Sequence, residues 1–151
     1  MGLTEAMSAA RDDVLEAASA SLARDHLAHY EASGAAESGR RLSDLFDLVV
    51  DCLAKRNLEP ITEYANNVAE ERFNAGFNIA EVQTAFNVLE ETIWRVVIAP
   101  LPTEELLESA GLIGTVLGTG KDALARSWVA LATSEHVPSL DLTALFEGRA
   151  N

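Results

Sequence analysis

The sequence predicts an all-α fold of five to six helices in one domain, and two observations carry that prediction. Each hydrophobic segment repeats at spacings of three and four residues, the period of a helix that buries one face. Nowhere do β-branched residues alternate with polar ones over a useful length, so no strand is expected. A third observation fixes two boundaries: Gly76-Phe77-Asn78-Ile79-Ala80-Glu81 writes out a helix stop, a turn and the next helix start.

Thr4 is placed to cap a first helix reaching to about Ala32, with Val14, Leu15, Ala18 and Leu22 on one face. Whether it breaks near Arg24-Asp25 stays open. Ser33 to Gly39, small and polar, reads as a loop. A second helix is expected from Arg40 to about Arg56, with Leu42, Leu45, Phe46, Val49, Cys52 and Leu53 inward and Asp44, Asp47 and Asp51 outward. Pro60, tolerated in a first turn, opens a third helix through Tyr64, Val68 and Phe73 to the stop at Gly76.

Gly76 can take the left-handed conformation that closes a helix. Asn78 and Glu81 have capping-box spacing, and Phe77 with Val82 that of a hydrophobic staple. The helix they open shows Val82, Phe86, Leu89, Ile93 and Val96 inward and stops before Pro100. Thr103 is expected to cap a final long helix with Leu106, Ala110, Ile113, Leu117, Leu124, Trp128 and Leu131 as its stripe. Residues 1–138 thus form the domain, and 139–151 a tail in which Ser139 to Phe146 adds a short turn or simply trails.

Composition excludes several classes of function. The chain of 151 residues is 48% hydrophobic, enough for one substantial core. Its 24 acidic and 11 basic residues leave a formal charge of -13, which repels phosphate backbones and anionic membranes, so no nucleic acid and no membrane is expected as partner. Cys52 is the only cysteine, and the first residues resemble no signal peptide; a cytoplasmic location is expected.

The final helix departs from ordinary composition. From Ser109 to Gly120 it carries no charge, and four glycines interrupt it, each costing up to about 1 kcal/mol of helix propensity relative to alanine. Gly111, Gly114 and Gly118 share a face beside the hydrophobic stripe, which implies close approach by another backbone. The favoured reading is a homodimer in which the last two long helices pair with their copies, using Leu89, Ile93, Gly111, Gly114, Gly118 and Ala125. The alternative is a helix central to a monomer's core.

Catalytic and metal-binding patterns are thin, so no enzyme and no cofactor is expected. Glu70-Glu71 and Glu90-Glu91 are adjacent residues pointing to different sides of a helix. Gly118-Thr119-Gly120-Lys121 lacks the upstream glycine and strand of a phosphate loop. His26 and His29 alone are a weak metal signal, and no Glu or Asp stands three residues before any histidine, as a di-iron bundle would require. Cys52, at an inward position, reads as a packed thiol.

Arg72-x-x-x-Gly76-Phe77-x-Ile79-x-Glu81, followed by a helix ending in Ile93-Trp94, resembles the N-terminal domain of the RsbR/RsbRD co-antagonist proteins. The resemblance runs from about Asp25 to Trp128 and is sharpest between Arg72 and Trp94. It implies a non-haem, globin-like sensor domain, a dimer, acting in bacterial stress signalling through a protein partner. It carries over no nucleophile, base or metal ligand. Such relatives usually continue into a STAS output domain, whereas this sequence ends at Asn151; Met1 and the irregular ending favour a complete product.

A globin-like fold raises the question of haem. No histidine lies between Tyr30 and Glu135, where a globin would place its iron ligand, which disfavours haem. The aromatic residues Tyr64, Phe73, Phe77 and Phe86 are core on the plain reading. On the sharper one they wall the former haem pocket around an apolar, fatty-acid-like ligand, with Arg72 holding its carboxylate; Arg72 could equally pair with Glu70, Glu81 or a helix C-terminus. The alternative function is a haem- or small-molecule-binding carrier.

Overall fold

The computed structural model describes residues 2–25 and 27–136, and every regular element among them is helical. The helices are α1 (Leu3–Ala9), α2 (Arg11–Arg24), α3 (Ala28–Ser33), α4 (Ala35–Lys55), α5 (Glu59–Asn74), α6 (Ile79–Ile93) and α7 (Thr103–His136), with a π-helical turn over Trp94–Ile98 continuing α6. The domain is all-α and globin-like, as expected. The anticipated tail, with Ser139 to Phe146, lies outside the described residues.

The first helix expected from Thr4 to Ala32 is instead three. The chain turns at Ala10, and α2 ends at Arg24 before the short α3. Gly2, not Thr4, precedes α1, and no side chain caps it. Val14, Ala18 and Leu22 are buried in α2 as expected, with Leu15 partly so. Arg11 holds α2 to α4: its Nε donates to Asp47 Oδ1 at 2.8 Å and its Nη2 to Asp47 Oδ2 at 3.0 Å.

The expected Ser33–Gly39 loop is also corrected, because α4 starts at Ala35. Gly34, at φ +87°, supplies the reversal on its own. The inward face of α4 is as read, with Leu42, Leu45, Phe46, Val49 and Cys52 buried. Burial pushes the Cys52 thiol up from its ordinary pKa, the chemistry of an inert packed cysteine.

The π-turn changes the register of the inward face. Its wider winding brings Ala99 N to Trp94 O at 2.8 Å and spends an extra residue per turn. After Ile93 the buried positions are therefore Val97 and Ile98, while Val96 is only partly buried and Trp94 is 44% exposed. The final helix, α7, begins at Thr103 itself, so Thr103 is its first helical residue and not the preceding cap. It packs chiefly along α5, while α2 lies against α4 and α6. Ile113, Leu117, Leu124 and Trp128 form its buried stripe.

Gly120 lies on that stripe. A Cβ there would stand 2.9 Å from Ile61 Cγ1 and 3.1 Å from Phe86 Cε2, so side chains of α5 and α6 pack directly on this glycine of α7. No helix among the described residues is long and apolar enough to cross a membrane.

Candidate functional site

The turn between α5 and α6 forms as its residues dictate. Gly76 takes φ +87°, Phe77 N donates to Arg72 O at 3.0 Å and Gly76 N to Phe73 O at 3.2 Å, which together make a Schellman ending. Glu81 N donates to Asn78 Oδ1 at 3.0 Å and Asn78 N to Glu81 Oε1 at 3.2 Å, completing the capping box. Phe77 and Val82, the staple pair, are both buried.

Glu81 does more than cap. His29, 52 residues earlier on α3, places Nδ1 at 2.8 and 2.9 Å from its two carboxylate oxygens and donates its backbone N–H at 3.2 Å. The imidazole also stacks on Phe77, with ring centroids 4.6 Å apart. Burial pushes the Glu81 carboxyl up, but the hydrogen bonds from Asn78 and His29 outweigh it and hold its pKa below the usual carboxylate value. This latch was missed in the sequence. The only local hint was that a capping carboxylate retains free lone pairs.

Arg72 is 5% exposed, and its guanidinium lies 5.8 Å from the Phe77 ring centroid, as that of Arg41 does at 5.7 Å. Its Nη1 pairs with Glu71, rather than with Glu70, Glu81 or a helix end as expected, and its Nε has no partner among the described residues. Two arginines and one imidazole thus pack around Phe77, which makes Phe77 a structural hub.

The expected aromatic pocket is only partly assembled. Tyr64, Arg72 and Phe86 line one cavity with Leu42, Val68 and Val82, but its volume is about 20 Å³, room for about one water molecule. Phe73 points elsewhere: its ring meets Trp128 edge-on at 5.6 Å and ties α5 to α7. Phe77 does not line the cavity either.

The residues expected at a dimer interface separate into two groups. Leu89 and Ile93 are fully buried in the core, so no partner can reach them. Gly111 is exposed and Gly114 and Gly118 half-exposed, and a Cβ on any of the three would meet nothing within 4 Å. This face of α7 is therefore left uncovered within the subunit. The same face carries Ala125, Leu107 (87% exposed) and Val129 (62% exposed), all within about two-thirds of a right angle on the helical wheel.

No group of three His, Cys, Asp or Glu side chains among the described residues could hold a metal ion. His29 is engaged with Glu81, while His26 and the side chain of His136 lie outside the described residues.

Neither the curated proteins nor the solved structures contain a match to this chain. A family profile does match, described as the RsbT co-antagonist protein rsbRD N-terminal domain, over residues 8–132. That span takes in α2 to α7 almost whole, including the Gly76 turn and the glycine face of α7. The chain therefore belongs to the RsbRD N-terminal domain family of RsbT co-antagonist proteins.

Proposed function

We infer that this is a non-catalytic regulatory domain of bacterial stress signalling, cytoplasmic and homodimeric, whose α7 face joins it to a second copy and whose remaining surface engages a protein partner of the RsbT pathway. The observation that carries the reading is the surface of α7. Leu107 and Val129 flank three glycines with open space above them. Glycines lower helix propensity, and exposed apolar side chains gain nothing in a lone monomer, so both make sense where a second backbone packs.

An apolar ligand in the former haem pocket would require the cavity beside Tyr64, Arg72 and Phe86 to open well beyond about 20 Å³. The guanidinium groups of Arg72 and Arg41, which both line that cavity, are the kind of group that suits a carboxylate. The test of the main reading is sedimentation equilibrium of the purified chain and of Leu107→Glu and Val129→Glu variants, followed by co-purification with an RsbT-type kinase complex. The wild type should be a dimer and the variants monomers of unchanged helicity. A monomeric wild type would sink the dimer, and failure of both forms to join the complex would sink the co-antagonist role.

A further inference from the structure

The largest cavity described is not beside Phe86 but about two turns further along α4, where α1, the end of α4 and the first half of α7 meet. It is a cleft of about 510 Å³, within the range of about 300 to 1,000 Å³ usual for small-molecule sites. Leu3 from α1, Leu53 from α4, Leu101 from the segment before α7 and Leu112 from α7 make its walls apolar. Its floor holds two buried groups that the regulatory reading does not use. Cys52 is 1% exposed and Ser109 6% exposed. Of the buried polar side chains described, Glu81 and Thr92 bond to protein groups and Arg72 does so through Nη1, whereas Ser109 shows no hydrogen bond to another described residue.

The rim is charged in both senses. Arg56 from the end of α4 and Glu105 and Glu108, one turn apart on α7, all line it. None of the three forms an ion pair among the described residues. Arg56 is also the single non-glycine residue described with positive φ, at 52°, a conformation that side-chain-bearing residues rarely adopt. It closes α4, its N–H donating to Cys52 O, where glycine would be the relaxed choice. The chain thus keeps a cation at this rim despite the backbone it must accept there.

We propose that the cleft between α1, α4 and α7 binds a small zwitterionic amphiphile, its apolar body between Leu3, Leu53 and Leu112, its anionic group on Arg56 and its cationic group on Glu105 and Glu108. A plain anion would face two carboxylates in a chain of net charge -13, and a plain cation would face Arg56. A zwitterion satisfies both, and its polar atoms can reach Ser109. Binding here touches the first half of α7, which places the ligand on the same helix as the dimer face. Only that consequence rests on the regulatory reading; the binding does not.

The test is isothermal titration of the whole chain with three probes that share one chain, all below their micelle concentrations: octylphosphocholine, octyltrimethylammonium and octanoate. One saturable site is expected for octylphosphocholine, with the other two weaker by about tenfold or more, the loss of one charge pairing. Arg56→Gly relaxes the left-handed position and removes the cation, so it should fold at least as well and lose about tenfold for octylphosphocholine while leaving octyltrimethylammonium unchanged or improved. Thr115→Trp, which fills the cleft from an exposed position, should abolish binding of all three.

Equal affinities for all three probes, or binding untouched by both variants, would overturn the assignment, as would no binding at all. Sedimentation of the same samples keeps the two readings apart. A dimer that binds no probe defeats the cleft and spares the regulatory reading, and a monomer that binds octylphosphocholine defeats the dimer and spares the cleft.

Discussion

His29 Nδ1 lies 2.8 and 2.9 Å from the two carboxylate oxygens of Glu81, so the residue that caps α6 is also the anchor of α3. The short α3 runs for six residues, too few for a stable isolated helix, so it depends on contacts such as this one. Removing the carboxylate should therefore uncouple two elements together. Glu81→Ala is expected to cost about 1 to 3 kcal/mol, summing a lost capping-box bond and the bonds to a partly exposed imidazole. His29→Ala, which leaves the capping box whole, should cost about 1 to 2. Urea unfolding of both single variants and the double variant checks this, since the pair should show clear coupling and equal additivity would refute the latch.

The same pair predicts how stability depends on pH. The folded pKa of Glu81 lies below its ordinary value of 4.5. A carboxylate with a depressed folded pKa contributes stability that is present above the unfolded pKa and lost as pH falls through the folded one. The stability difference between the wild type and Glu81→Gln should hence be steady above about pH 5 and shrink through the region below 4.5. Denaturation midpoints across that range measure it. A difference that grows in acid would reverse the assigned sign.

Glycines at three places should respond differently to the same substitution. Gly76→Ala forces a Cβ into φ +87° and should cost about 1 to 2 kcal/mol. Gly120→Ala gains up to about 1 kcal/mol of helix propensity but drives a Cβ to 2.9 Å from Ile61 Cγ1, and overpacking of about 1 to 3 kcal/mol should win. Gly111→Ala meets open space and should stabilise an isolated subunit by up to about 1 kcal/mol. Thermal denaturation at low protein concentration ranks the three.

What the sequence made legible was local. Gly76, Asn78 and Glu81 lie within six residues, and each side chain's preferred conformation acts on the backbone beside it, so the turn was readable with its hydrogen bonds. Periodicity likewise placed Val49 and Leu117 inward. The π-turn was not readable, because Trp94 to Ile98 shows ordinary helical residues and the extra residue is fixed by how Val97 and Ile98 reach the core. Leu89 and Ile93 were misassigned for a related reason: hydrophobic spacing shows that a face is covered, not whether its own domain or another covers it. Distance along the chain hid the His29–Glu81 pair altogether. The split of the first helix at Ala10 has no breaker residue to announce it, and α1 turns there to lie on α4.

The final prediction concerns Gly114 and Gly118. Each sits half-exposed with nothing within 4 Å of a built Cβ, so a side chain there starts into open space in its own subunit. In a monomer Gly114→Leu and Gly118→Leu should only gain, by up to about 1 kcal/mol each in helix propensity. In a dimer with two α7 helices in close contact, the added side chains push the backbones apart at a cost of about 1 to 3 kcal/mol per site, and symmetry applies that cost twice at one interface. The two effects separate with concentration. Dilute samples should be more heat-resistant than the wild type and concentrated ones less associated, with sedimentation showing a weaker dimer at unchanged helicity. Variants that dimerise as tightly as the wild type would mean that the glycine face is bare for another reason. Variants that unfold even when dilute would contradict the open space above these two residues.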